Sequence, residues 1–504
     1  MITARRWLAR TLDGIERAGN ALPHPASLFV LLATSVVLLS ALLHALGVSA
    51  TLPSSGETVR VVNLLSVEGL QRLQLGLVDN FVNFAPFGPV LVSLLGLAVA
   101  EHSGFLGAVV RVIVAATPAR WLTWMVVFTG ATSTTVGDVG YVLLLPLSAA
   151  LFHRAGRHPL AGLAAAFAGV SGGFAANLLL SPTDVVLAGL TQDAARLIDA
   201  SYVVTPTASW YFLAASVPLV TLTGALVTER VVEPRLGVYD GDVQPAPAEP
   251  LTVSERRALR WALASVGALA ALVLAGLLPA DGILRDASRP GFVGSYFLRG
   301  LVAWIFVFGL VPGLLYGVLT GQYRSDRDIY RGMQEHMAGI AAYVVVVFFI
   351  AQFVAVFNWS RLGVVLAVHG ATWLRALDLG PSALLVTLVA MTGVINVFLG
   401  SSSAKWAMLA PVLVPMFLLL GYAPELTQTA YRVGDSLTNI VTPLSSNFPL
   451  VLLFLQRYAP RAGIGTLTAT MLPYAVANFV AWTLMLLGWL ALGWPTGPGA
   501  ALFR

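Results

Sequence analysis

Cysteine is absent from all 504 residues. That excludes a disulfide framework, a thiol nucleophile and a cysteine-based metal site. Lysine occurs once, as Lys405, between Ala404 and Trp406. A phosphate-binding loop needs Gly-Lys-Ser/Thr, so the chain is not itself a P-loop ATPase. No His-Glu-x-x-His zinc motif occurs. The stretch Thr135-Val136-Gly137-Asp138-Val139-Gly140-Tyr141 lacks the contiguous Gly-Tyr-Gly of a potassium filter. Charge is scarce too: 11% of residues are ionic and 57% hydrophobic, where a soluble domain carries about 25% charged residues. The basic pI near 9.6 does not point to nucleic acid, because the arginines are scattered between apolar runs. The ten-residue alternation of an outer-membrane barrel is also missing.

What is present is a series of long apolar runs. Pro25–Val48, Trp261–Ala280 and Met337–Asn358 contain no Asp, Glu, Lys or Arg, and each is long enough to cross about 30 Å of hydrocarbon as a helix. The first run is too long for a signal peptide and is read as a retained helix, although Val48-Ser49-Ala50 loosely resembles a cleavage site. Nine spans are expected near 25–48, 80–101, 159–189, 208–228, 258–279, 297–319, 337–358, 427–456 and 466–492. Two segments, 120–153 and 382–420, have arms too short or broken to cross and polar tips at Thr132–Asp138 and Asn396–Lys405. They are read as re-entrant hairpins. With the N-terminus in the cytoplasm, 18 arginines fall on the cytoplasmic side and 9 on the other, the bias expected of a bacterial inner-membrane protein.

The polar, proline-bearing segment 235–257 divides the chain into an N-terminal cytoplasmic segment 1–24 and membrane repeat 25–234 on one side and a second repeat 258–504 on the other. Matched residues recur across it: Pro159/Pro424 and Gly169/Gly434 are 265 apart, Thr129-Gly130/Thr392-Gly393 are 263 apart, and Ser181-Pro182/Thr442-Pro443 are 261 apart. Both halves run long helix, hairpin, broken helix, final helix. The expected fold is an all-α polytopic membrane protein, an inverted-repeat secondary transporter with about nine transmembrane helices and two re-entrant hairpins.

A charge in hydrocarbon costs at least about 2.5 kcal/mol, so the few charges near these breaks carry information. Asp138 lies on the first tip, Asp184 follows the break Ser181-Pro182-Thr183, Lys405 adjoins the second tip, and Arg432 and Asp435 share one helix face. They admit a structural reading: Arg432 paired with Asp435, Lys405 with a carboxylate, Asp184 as a helix cap. They also admit a functional one, since broken helices offer backbone carbonyls and half-helix ends to ions and anions. Asn177, Thr183, Asn396, Ser401, Ser402, Ser403, Asn439, Thr442, Ser445, Ser446 and Asn447 add neutral polar groups, each alone explicable as a helix–helix hydrogen bond. Trp406 suits interfacial anchoring or substrate stacking.

Six passages stand out: Asn80-Phe81-Val82-Asn83-Phe84-Ala85-Pro86-Phe87-Gly88, Gly156-Arg157-His158-Pro159-Leu160-Ala161-Gly162, Gly169 through Asn177, Ser181-Pro182-Thr183-Asp184, Ser403-Ala404-Lys405-Trp406-Ala407 and Tyr431-Arg432-Val433-Gly434-Asp435-Ser436 with Asn439 and Thr442-Pro443. Together they resemble the AbgT family of p-aminobenzoyl-glutamate transporters. The resemblance covers nearly the whole chain and implies homodimers with an inward-facing basin. It also implies cation-coupled transport of p-aminobenzoyl-glutamate or export of sulfonamide antimetabolites. The family's functional positions match at Asp184, Asn396, Ser403, Trp406, Pro424, Arg432, Asp435 and Pro443.

The expected substrate is therefore a small aromatic organic anion, met by Ser403, Lys405, Trp406, Pro424, Arg432 and Pro443. Coupling to Na+ or H+ is expected at Asp184, Asn177, Asn396, Asp435, Asn439 and Asp138, with Asn396 and Asp435 as the ligands if the ion is Na+. No catalytic residue and no cofactor beyond the coupling ion is expected, and no partner beyond the lipid bilayer and a second copy. A dicarboxylate or other organic-anion carrier of related architecture is the main alternative. A membrane enzyme using Asp184 and Asp435 as an acid/base pair, or a non-transporting scaffold, fits the cost of these charges less well.

Overall fold

The computed structural model describes residues 24–53, 56–115, 117–133, 140–241, 243, 251–279, 281–288, 292, 294–445 and 447–504. The tip of the first hairpin, with Asp138, lies outside these residues, as do Ser446 and much of the linker.

The first half runs α1 (Pro25–Ala45), a small hairpin of β1 (Ser49–Thr51) and β2 (Thr58–Arg60), α2 (Val67–Val82), α3 (Phe87–His102), α4 (Phe105–Ala115), α5 (Leu122–Ser133), α6 (Leu145–Arg154), α7 (Pro159–Phe167), α8 (Pro182–Ala195) and α9 (Trp210–Val227). Helix α10 (Val253–Leu277) follows. The second half runs α11 (Leu301–Thr320), α12 (Asp326–Gly339), α13 (Ala341–Ser360), α14 (Leu362–Ala376), α15 (Pro381–Phe398), α16 (Ser402–Leu419), α17 (Pro424–Leu437), α18 (Phe448–Tyr458) and α19 (Ile464–Leu492). Strand content is minimal because hydrocarbon offers no partner for an open sheet edge.

Helix ends follow local chemistry. Proline opens α1, α7, α8, α15 and α17, where its missing N–H costs nothing. At α12 the Asp328 carboxylate accepts from the backbone N–H groups of Arg324 and Ser325, both at 2.9 Å, which hold its carboxyl below the ordinary aspartate value. Helix α4 meets the next segment, Ala119–Ser133, at 109° around Thr117 and Pro118, since the residue before a proline is steered out of the helix.

Among the described residues nine helices are long and apolar enough to cross a membrane. The number equals the sequence expectation, but the set differs. Both arms of the second hairpin, α15 and α16, are continuous 18-residue helices, not the short arms expected. The polar tip looked long because Asn396 and Lys405 flank it. The helices in fact stop at Phe398 and resume at Ser402, and both residues point inward from helical turns. Conversely, 159–189 and 427–456 are interrupted at 173–181 and from 438 to 445, as expected of broken helices.

The two halves are built alike. Gly169, in the π turn that ends α7, would place a β-carbon 2.5 Å from the Val127 carbonyl oxygen of α5; Gly434 of α17 would place one 2.4 Å from the Val389 carbonyl oxygen of α15. The glycine pair matched in sequence thus makes the same backbone-on-backbone contact twice. Longer elements trade partners in the same way: α1 packs on α13 and α11 on α3, α2 on α13 and α12 on α3, α5 on α7 and α15 on α17. Among the described residues, α10 is the one helix of this series without a counterpart in the first.

The α3–α11 contact needs small residues. A β-carbon on Gly96 would lie 2.3 Å from the Phe306 carbonyl oxygen, and one on Gly313 would lie 2.6 Å from the Ala100 backbone. Packing rather than hydrophobicity holds helices together in lipid. Gly313→Val should therefore cost about 1–3 kcal/mol and lower the melting temperature in detergent. Gly267→Val on α10, where no atom lies within 4 Å of the added carbon, should not. Equal melting of the two variants would contradict this packing.

Candidate functional site

The first break meets α17 just before the second break begins. The backbone N–H of Ala175, in the first break, donates to Ser436 Oγ on α17 at 3.0 Å. Helix α17 is the hub: all 14 of its residues are buried although half are polar. Its spacing explains how. Gln428, Arg432, Asp435 and Ser436 recur every three or four residues and so project on neighbouring faces toward α8, α15, α16 and the first break.

Each buried charge has a partner from another element. Arg432 Nη1 pairs with Asp184 Oδ1 of α8. The other Asp184 oxygen accepts from Ser181 N–H at 2.6 Å and Ser181 Oγ at 2.7 Å, so the carboxylate also caps the N-terminus of α8, where the helix dipole favours it. Lys405 Nζ of α16 lies 2.5 Å from Asp435 Oδ1 and donates to Asn396 Oδ1 of α15. The pairing that spacing suggested, Arg432 with Asp435 on one helix, gives way to Arg432–Asp184 and Lys405–Asp435. An i, i+3 pair would have left Asp184 and Lys405 buried and uncompensated. Arg432 keeps one donor in reserve: Nη2 is buried with no hydrogen-bond partner among the described residues.

Asn396 locks the second tip to the second break. Its Nδ2 donates to the Asp435 carbonyl at 2.7 Å, Thr438 Oγ1 at 2.9 Å and Asn439 Oδ1 at 2.8 Å. Thr442 Oγ1 donates to the Val397 carbonyl at 2.7 Å, satisfying an acceptor that the end of α15 leaves open. Asn396 and Asp435, the two residues expected to hold a sodium ion, both already contact the Lys405 ammonium, so they do not fit a metal ion with Lys405 in this position.

Trp406 is completely buried and no interfacial anchor. Its ring stacks on Tyr431 at 4.3 Å and 30°, and its Nε1 donates to Thr191 Oγ1 at 2.8 Å. Thr191 passes its own proton to Gln428 Oε1 at 2.6 Å, and Tyr431 donates to the Ser402 carbonyl at 2.6 Å. Of the sequence candidates, Asp184, Asn396, Lys405, Trp406, Arg432 and Asp435 are brought together and buried, with Asn439 bonded at their edge. Pro424 lies at the far end of α17, and Ser403 and Pro443 are partly exposed. Asn177 is buried in the first break. Sequence reasoning missed Thr191, Gln428, Tyr431 and Thr438. The polar periodicity of α17 could have flagged Gln428; Thr191 carries no signal outside its tertiary contact.

Breaking one side of a buried pair costs about 3–5 kcal/mol. Arg432→Ala and Asp184→Ala should each melt well below the parent protein. The double variant should lose less than the two losses summed, with a coupling of roughly 1 kcal/mol or more. Strictly additive losses would contradict direct pairing.

The profile of the AbgT putative transporter family matches residues 10–503. The chain is 41% identical over 486 residues to the p-aminobenzoyl-glutamate transport protein of Escherichia coli (strain K12), covering 96% of this chain and 95% of that protein. Two transporters of solved structure share the fold. The Alcanivorax borkumensis YdaH transporter, described as having an unusual topology, is 45% identical with a TM-score of 0.90, covering 94% of this chain and 100% of that one. Neisseria gonorrhoeae MtrF, described within a class of antimetabolite efflux pumps, is 44% identical with a TM-score of 0.91, covering 97% and 100%. With a family match across almost its whole length, this chain is a multi-pass membrane transporter, not an enzyme, and belongs to the AbgT family.

Proposed function

We propose that the protein is a cation-coupled secondary transporter of p-aminobenzoyl-glutamate-like aromatic anions that also exports sulfonamide antimetabolites. The observation that carries this reading is the Arg432 guanidinium, which is buried and paired through Nη1 but has Nη2 unpartnered. A planar guanidinium suits a carboxylate. p-Aminobenzoyl-glutamate brings two carboxylates and an aromatic ring, and a sulfonamide shares the aniline ring with a weak anion. Ser403, Pro443 and Asn439, partly exposed around the second tip and break, form the approach. Lys405 and Trp406 are buried behind them, and Pro424 opens α17 at its other end. The chemistry favours the second half, since the first offers carboxylates, Asp184 and Asp138, and the amide of Asn177.

The carboxylates of Asp184 and Asp435 are the proposed coupling groups, with Asn396, Asn177, Asn439 and Asp138 as neighbours. The packing supports an elevator-type movement. Helices α1, α2, α3 and α10–α13 pack mainly on one another, whereas the hairpins, both broken helices, α9 and α19 form a second group. The groups touch through α8 on α3 and α16 on α13, and α4 and α14 pack against both. Homodimer formation, an inner-membrane location and a cytoplasmic N-terminus belong to the same proposal.

Counterflow of labelled p-aminobenzoyl-glutamate in proteoliposomes tests it. Unlabelled p-aminobenzoyl-glutamate and sulfonamides should compete, and succinate should not. Arg432→Ala should raise KM at least about tenfold, the loss of one charge-assisted hydrogen bond. Asp435→Asn should abolish dependence on the cation gradient. Competition by succinate alone would establish the dicarboxylate carrier instead.

A further inference from the structure

Lys405 occupies the position that the oxygens around it would otherwise offer to a free cation. The residue is 0% exposed, and its ammonium meets Asn396 Oδ1 and Asp435 Oδ1. The orientation of Asn396 is set independently of Lys405. Its Nδ2 faces the Asp435 carbonyl, Thr438 Oγ1 and Asn439 Oδ1. Thr438 spends its own proton on the Gly393 carbonyl at 2.9 Å, so it can only accept from Asn396. The amide oxygen is therefore held toward the ammonium by the rest of the network. An amide oxygen and a carboxylate oxygen, prealigned in a buried place, make a cation site whether or not the cation is tethered to the chain.

The charge balance leads to the same place. Asp184 is neutralised by Arg432 and Asp435 by Lys405, so the charges of these four residues cancel. A free cation added beside Lys405 would leave an uncompensated positive charge in a region where burial is costly. Without the ammonium, Asp435 would lack a counter-charge and a monovalent cation would supply it.

We propose that Lys405 is a built-in occupant of this cation site, so that a free Na+ at Asn396–Asp435 and the Lys405–Asp435 bond exclude one another. Cation entry then releases the lysine. Lys405 lies in the first turn of α16, beside the second tip, and a released ammonium there is free to meet an anionic substrate. Cation binding and anion binding thereby favour each other through one side chain, the reciprocity that coupled transport requires.

The inference rests on the cation-coupled reading above, but its test needs neither substrate nor gradient, so the two can fail separately. Thermal unfolding of the purified full-length protein in detergent is followed against NaCl, with choline chloride at equal ionic strength as reference. The wild type should show only a weak Na+ shift that depends on Asp435, since Na+ there has to displace the tethered ammonium. Lys405→Ala should gain a stronger one, with half-saturation at least about tenfold lower in Na+ than any wild-type response. That shift should vanish in Lys405→Ala/Asp435→Asn. Methylammonium, which replaces the missing group, should compete with Na+ in Lys405→Ala. Lys405→Gln keeps a hydrogen-bonding side chain and supplies the same readout if the alanine variant does not fold. A wild-type Na+ shift that Asp435→Asn abolishes and loss of Lys405 leaves unchanged would overturn the proposal. Folded Lys405 variants without any Na+ shift would overturn it equally.

Discussion

Two ion pairs at the crossing of the broken helices hold the rest of the molecule in register. Arg432–Asp184 ties the second half to the first, and Lys405–Asp435 ties the second hairpin to the second broken helix. Neither pair is replaceable piecemeal. Each member sits where water cannot screen it, so each requires its partner. A helix as polar as α17 can be buried completely because its neighbours supply matching groups: Thr191 to Gln428, the Ser402 carbonyl to Tyr431, the Ala175 N–H to Ser436. The first break is tolerable for the same reason where it is buried, at Ala175, Ala176 and Asn177.

Around this centre the architecture divides labour. Glycines let α3 and α11 approach backbone to backbone, which favours a close-packed frame. In the other group, hairpins and broken helices meet through hydrogen bonds and ion pairs, which can be exchanged for bonds to a solute. The symmetric contacts of Gly169 and Gly434 place both broken helices against their hairpins in one geometry. The chemistry laid over that geometry is unequal: the second half has both cationic side chains.

Membrane class, the hairpins, the breaks and the doubled order were legible in the sequence because hydrocarbon enforces them locally. A span must be apolar throughout, a break must carry glycine, proline or polar residues, and a buried charge stands out in a chain with 11% ionic residues. The arms of the second hairpin were misjudged as short. Asn396 and Lys405 look like parts of a loop in one dimension, yet both lie on helix faces turned toward α17. Polarity there reported an inward-facing site on both arms as well as the short reversal at 399–401.

By itself, then, the sequence determined which residues are costly to bury and therefore which matter. It singled out Asp184, Asn396, Lys405, Trp406, Arg432 and Asp435. Only the tertiary structure decided who pairs with whom. Spacing favoured Arg432 with Asp435, because i, i+3 neighbours are the only pairs a sequence can measure. The folded chain brings Asp184 to Arg432 across 248 positions and puts the ammonium of Lys405 between Asn396 and Asp435. The reason is electrostatic: in a buried centre with two positive and two negative groups, the stable arrangement leaves none uncompensated, and only the packing of helices distant in sequence can satisfy that condition.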